Sequence, residues 1–124
     1  MRERRQYVRL SEALKIVYKI VNPPPDGQSG SFTENISGGG IRFAVKQRLK
    51  RGLVLSLEIY LPGFVEPIVA TGEVVWVHRK EDLELPYSVG IKFITIDLVD
   101  RGKILSYIRQ KIVENKSPEI SWID

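Results

Sequence analysis

Cysteine is absent from this chain, and histidine occurs once, at His78. The first absence excludes a disulfide framework and thiolate catalysis. Together they leave a metal site without the second imidazole or thiolate it would need. Long apolar runs are missing too, since no stretch approaches the roughly 20 residues that cross a bilayer. Met1 is followed by Arg2-Glu3-Arg4-Arg5, with no apolar segment of the kind that marks a secretory signal, so the expected location is the cytoplasm. No catalytic constellation stands out either. Acid pairs such as Glu81-Asp82 lie in a polar loop with nothing to tune them, and the glycine run at 38–40 matches neither GxxxxGK[ST] nor GxGxxG. No enzymatic activity and no cofactor are expected.

What is present is one domain's worth of chain. At 124 residues, 43% hydrophobic and 27% charged, it has the composition of a soluble globular fold able to bury about two-thirds of its unfolded surface. The net charge of +4 is concentrated: four arginines stand in the first ten residues against one glutamate, forming a local anion trap. Lys46-Gln47-Arg48-Leu49-Lys50-Arg51-Gly52 is a second basic stretch and reads as a solvated turn, so nucleic acid is not the expected partner.

Six segments carry strand signals. Ile16 to Val21 interleaves apolar residues with lysines and stops at Asn22-Pro23-Pro24-Pro25-Asp26-Gly27, which has the chemistry of a hairpin loop. Ser31 to Ile36 leads into the glycine run, and Ile41, Phe43 and Val45 alternate with polar or small neighbours. Leu53 to Leu61 alternates throughout. Ile68 to His78 is apolar enough for both faces to be mostly covered, with Trp76 in phase with Ile68, Ala70 and Val74 and therefore in the barrel core. Tyr87, Val89, Ile91 and Phe93 share a phase in the last strand. Strands joined by turns without intervening helices predict an antiparallel barrel that closes its own edges. From Asp97, a plausible N-cap, the stripe Leu98, Leu105, Ile108 and Ile112 predicts a surface helix weakened by Gly102 and stopped before Pro118. The expected organisation is a single domain over 1–115, with an arginine arm at 1–9, a barrel at 10–96 and a helix at 97–114. The tail at 116–124, with Ile120, Trp122 and Ile123, is expected to pack back on the domain.

Two short motifs give the chain its chemistry. Arg5 and Arg9 fit RxxxR, and Asn35-Ile36-Ser37-Gly38-Gly39-Gly40 fits (D/N)xSxxG. Each is ordinary alone, but their order, their spacing and the downstream segments Gly40-Ile41-Arg42-Phe43, Gly72-Glu73-Val74-Val75-Trp76-Val77 and Val89-Gly90-Ile91-Lys92-Phe93 resemble the PilZ domain family over residues 4 to 114. The resemblance implies a six-stranded β-barrel with a C-terminal helix, and cyclic di-GMP as ligand. The residue types suit that ligand. Guanidinium forks on Arg5 and Arg9 pair two-fold with phosphate or with guanine O6 and N7. Asn35 reaches the guanine amide edge with one acceptor oxygen where an aspartate would offer two, and Ser37 supplies a hydroxyl. Gly38, Gly39 and Gly40 are expected to take unusual φ values and to bring backbone N–H groups close to the ligand.

Arg4 extends the first motif to RRxxxR, which in similar domains accompanies two intercalated ligands per chain. An indole near this strand stacks on a guanine in some of them, and Trp76 is the residue here that the resemblance offers for that role. The resemblance implies a bacterial second-messenger receptor in motility, biofilm or polysaccharide systems, signalling to an unidentified output protein as its arm, mobile without ligand, becomes ordered. A small OB-like barrel for single-stranded nucleic acid and a protein-only PilZ scaffold are the alternatives.

Overall fold

The computed structural model describes residues 7–21, 27–115 and 120–121. Arg4, Arg5, the prolines of the first hairpin loop, Trp122 and Ile123 lie outside the described residues. In chain order the elements are β1 (Arg9–Leu10), β2 (Lys15–Ile20), β3 (Ser29–Ser37), β4 (Gly40–Val45), β5 (Val54–Ile59), β6 (Ile68–Arg79), β7 (Tyr87–Ile96), α1 (Leu98–Asn115) and β8 (Ile120–Ser121). Antiparallel ladders link β2-β5-β6-β7-β4-β3, and β3 pairs back to β2, closing a six-stranded barrel. The six strands are those that periodicity predicts, because alternation along each one puts its large apolar residues inside. Ile16, Phe43, Leu55, Leu57, Ile59, Ile68, Val74 and Val89 are fully buried. At Ile120–Ser121 the tail returns as β8 beside β1.

β3 is shared along one edge. Its first half, Ser29 to Phe32, pairs with β2, while further on Ile36 pairs with Leu10 of β1. The short β1 thus continues the barrel wall where β2 leaves it. Leu10 and Ile36 are both buried, so the neighbouring positions Arg9 and Ser37 face outward.

α1 packs across the barrel end where β3 turns into β4. Asp97 occupies the N-cap position, its carbonyl accepting the N–H of Arg101 at 2.9 Å. Asp100 Oδ2 accepts the N–H of Val69 at 3.5 Å. Glu12, in the β1–β2 connection, accepts from the Tyr107 hydroxyl and lies 3.8 Å from Lys111 Nζ. Burial first, and then the bond to Glu12, hold the Tyr107 hydroxyl well above the ordinary phenol range.

Two periodicity readings are corrected. The buried line of α1 is centred on Ile104, Tyr107 and Ile108, and Leu98 is 80% exposed. At 3.6 residues per turn Leu98 lies roughly 130° around from that centre, and Leu105 roughly 105°. The outer face of β6 is also open at Val69, Glu73 and Val75 instead of covered.

Candidate functional site

Cross-strand register sets out two parallel rows on the outside of the barrel. One runs Asn35 (β3), Arg42 (β4), Gly90 (β7), Trp76 (β6); the next runs Ser37, Gly40, Lys92, Glu73. At about 4.8 Å between strands each row spans roughly 14 Å. Glycines in the middle of both make a trough between side chains on either flank. Arg9, carried by β1, stands beside Ser37 at the end of the second row. The trough belongs to a cavity of about 660 Å³ lined by Arg9, Asn35, Ser37, Gly39, Gly40, Arg42, Trp76, Gly90 and Lys92, with Tyr7, Ile41, Val75 and Ile91 completing its walls.

Two β-bulges put the first row together. The β3–β4 register shifts between Thr33 and Asn35, and the β6–β7 register shifts between Val74 and Trp76. A bulge lets two successive residues face the same side. Thr33 and Ile36 therefore stay inside while Glu34 and Asn35 turn outward. Likewise Val74 stays inside and Val77 packs on the core, whereas Val75 and Trp76 face the cavity. Trp76 is consequently not in the barrel core: strict alternation put it there, and the bulge at Val75 reverses its phase. Its indole lies over Gly90, where a Cβ would come within 2.2 Å of Trp76 Cε2. His78, on the exposed end of the same strand, stacks on that indole with ring centroids 4.5 Å apart and planes at 29°.

The glycine run works differently from the expectation. None of Gly38, Gly39 and Gly40 lies in the left-handed region; the positive-φ glycines among the described residues are Gly27, Gly52 and Gly63. What the three provide is space. A Cβ at Gly38 would lie 2.8 Å from the Tyr7 ring and 2.9 Å from Leu105, and one at Gly40 would lie 2.0 Å from the carbonyl oxygen of Ile91. The Gly39 N–H donates to Ser37 Oγ at 3.1 Å, so Ser37 braces the turn as well as facing the cavity. Arg101 of α1 donates from Nε to the Gly38 carbonyl at 3.0 Å and sits over the Tyr7 ring, 5.7 Å from its centroid.

The electrostatics favour an anion. Arg9, Arg42 and Lys92 line the cavity, and no carboxylate among the described residues does. Glu34 lies just behind. Its carboxylate accepts from Lys80 Nζ at 2.7 Å and from Ser88 Oγ at 2.6 Å, and Arg42 Nε stands 3.0 Å from it as an ion pair whose N–H is not aimed at the oxygen. Burial alone would raise the Glu34 pKa; Lys80, Ser88 and Arg42 together outweigh it and hold the group below its ordinary value. Asn35 and Ser37 are 8% and 7% exposed, so their polar atoms are available mainly toward the cavity.

Of the residues singled out from sequence, Arg9, Asn35, Ser37, Gly39, Gly40 and Trp76 meet at this cavity. Sequence reasoning missed Arg42, Lys92, Gly90 and Tyr7. Arg42 and Lys92 were findable: each alternates with buried neighbours, Ile41 and Phe43 for the first, Ile91 and Phe93 for the second. Nothing local marks Gly90 or Tyr7, whose roles depend on partners distant in sequence.

Structures of similar fold include the inhibitor of motility MotI (DgrA) of Bacillus subtilis, at 22% identity and a TM-score of 0.79 over 94% of this chain and 55% of that one. The PilZ domain of YcgR from Escherichia coli, solved with c-di-GMP, aligns at 13% identity and 0.65, covering 92% of this chain and 98% of the domain. MrkH of K. pneumonia, in complex with c-di-GMP, aligns at 18% and 0.70 over 94% of this chain and 56% of its own. The chain thus spans about half the length of MotI and MrkH. No curated protein matches it in sequence. The PilZ domain family model matches residues 3–110, nearly the whole of the motifs, barrel and helix described above, and the chain belongs to the PilZ domain family.

Proposed function

We propose that this chain is a bacterial receptor for cyclic di-GMP. The observation that carries the reading is the convergence of Arg9, Asn35, Ser37 and the 38–40 turn, from three strands, on one cavity that Arg42 and Lys92 make electropositive. A cyclic dinucleotide has two phosphates and two flat purines, and the site offers chemistry for both. Arg9 and Arg5 pair with phosphate or with the Hoogsteen edge of guanine. Asn35 accepts from the guanine amide edge, Ser37 contributes a hydroxyl, and the glycine trough of Gly39, Gly40 and Gly90 admits the ligand to the barrel surface. Trp76 gives a base a face to stack on. Arg4 completes RRxxxR and supports a second, intercalated nucleotide.

In this reading the output is a new surface made jointly by ligand and arm, read by a partner protein. The ligand drives it by binding the closed arm better than the open one. Tyr7, near the end of the arm, rests on the 38–40 turn. The chain acts as a receptor, not as an enzyme.

Calorimetric titration with cyclic di-GMP, with GMP and an oligonucleotide as controls, tests the reading. Arg9→Ala and Arg5→Ala should each weaken binding roughly 10- to 150-fold, the worth of one charge-assisted pair of about 1.5–3 kcal/mol. Wild type should bind two nucleotides, falling toward one in Arg4→Leu. Single mutants that bind like wild type would overturn the site, and a wild-type stoichiometry of one would overturn the role of Arg4.

A further inference from the structure

The stack of His78 on Trp76 lies at the rim of the cavity and has no part in the barrel. After the bulge at Val75, both side chains stand on the outer face of β6, and His78 is exposed at its end. Below the indole is the bare backbone of Gly90, with Cε2, Nε1 and Cζ2 filling the space where a Cβ would lie. A large aromatic on an open sheet surface, resting on a glycine, has several rotamers open to it. The imidazole stacked on it, 4.5 Å away and near parallel, selects among them. His78 does not itself line the cavity, whereas Trp76 does.

We propose that His78 is a positioning residue of the nucleotide site: by stacking on Trp76 it holds the indole over Gly90 as a platform for a purine base. The inference rests on the receptor reading above and adds a residue outside both sequence motifs. It assigns the strand end after Trp76 to the site, and it gives the lone histidine a function that needs no metal. Flatness is what the role requires, so another aromatic ring should replace the imidazole, and a small or aliphatic side chain should not.

A double-mutant cycle with cyclic di-GMP as the probe decides it. His78→Ala should weaken binding roughly two- to tenfold, the range set by one aromatic pair. His78→Thr, which keeps a strand-forming residue but cannot stack, should do the same, and His78→Phe should restore affinity. Trp76→Ala should cost more, roughly 5- to 150-fold. In the Trp76→Ala background His78→Ala should cost nothing further, because its effect passes through the indole. With Trp122→Phe in place, the emission of Trp76 should change in His78→Ala and His78→Thr and return toward wild type in His78→Phe. Equal losses in both backgrounds, an unaltered affinity in His78→Ala, or failure of His78→Phe to rescue would each overturn the inference alone. A wild-type chain that does not bind the nucleotide would overturn the receptor reading and this inference with it.

Discussion

The two halves of the barrel wall are built by different rules. On the β2–β5 side the ladders run in unbroken register, Ile16↔Ile59 to Ile20↔Leu55 and Val54↔Glu73 to Ile59↔Ile68, so every second residue points in. On the other side the ladders flanking the β4–β7 pair are each interrupted: β3–β4 between Thr33 and Asn35, and β6–β7 between Thr71 and Gly72 and again between Val74 and Trp76. The regular half is all core on one face and solvent on the other. The interrupted half uses its irregularities to turn Asn35 and Trp76 outward into one row with Arg42 and Gly90. On the receptor reading, stability and recognition are thus separated on one continuous sheet, and the candidate site lies where the alternation fails.

The largest expected effect tests that separation from the regular side. Leu57→Ala removes a fully buried side chain from β5. It should cost about 2–5 kcal/mol in a urea melt, the range for large-to-small changes in a packed core. The molecules that remain folded should bind nucleotide as before. An affinity lost in proportion to stability would show that the two halves do not act separately. From the interrupted side, Gly40→Ala adds one methyl group, but its Cβ would lie 2.0 Å from a backbone oxygen, that of Ile91, which cannot swing aside as a side chain can. The β4–β7 ladder must part there. A loss of about 1–3 kcal/mol from overpacking should accompany disruption of the trough.

Glycines allow a finer version of the comparison. Gly102 is an exposed residue within α1, with no atom within 4 Å of a Cβ built on it. It has neither a neighbour to accommodate nor a positive φ to permit, so it carries only the entropic cost of glycine in a helix. Gly102→Ala should raise stability by about 0.5–1 kcal/mol and leave nucleotide affinity unchanged. The same substitution thus has opposite signs at positions 40 and 102. A destabilised Gly102→Ala would mean that α1 is packed more closely than its exposure indicates.

The regular half was also the legible half. Leu55, Leu57 and Ile59 declare their inward phase by simple alternation, as Val89, Ile91 and Phe93 do even in the interrupted half, and the closed barrel follows from six such segments. The motif residues were legible by type and spacing, and Arg9, Asn35 and Ser37 do meet at one cavity. What could not be read was any effect of a bulge. A two-residue period carried through Val75 puts Trp76 inside, and one unpaired residue reverses it. Nor does sequence distinguish a glycine needed for φ from one needed for space: Gly38 is set by Tyr7 and Leu105, and Gly90 by Trp76, partners that only the fold brings near. The helix stripe erred for a similar reason. Leu98 shares a period with Leu105, but the barrel end meets α1 along Ile104 and Ile108.

The smallest expected effect concerns the bulge residue Glu34, which ties β3 to Lys80, Ser88 and Arg42. Glu34→Gln keeps the shape and removes the charge. Because these partners hold the carboxyl below its ordinary pKa despite the opposing effect of burial, the folded state favours the ionised form. The sign follows from linkage: the contribution is fully present above the unfolded pKa, near 4.3 for a glutamate, and is lost as pH falls through the lower folded value. The group is partly exposed, so solvent screening keeps the effect to about 0.2–1 kcal/mol. Urea midpoints of wild type and Glu34→Gln should therefore differ at pH 7 and converge as the pH is brought well below 4. A difference that persisted undiminished in acid would mean that the charge of Glu34 is not what secures the bulge, and that the uncharged hydrogen bonding of its side chain, to partners such as Ser88, does so instead.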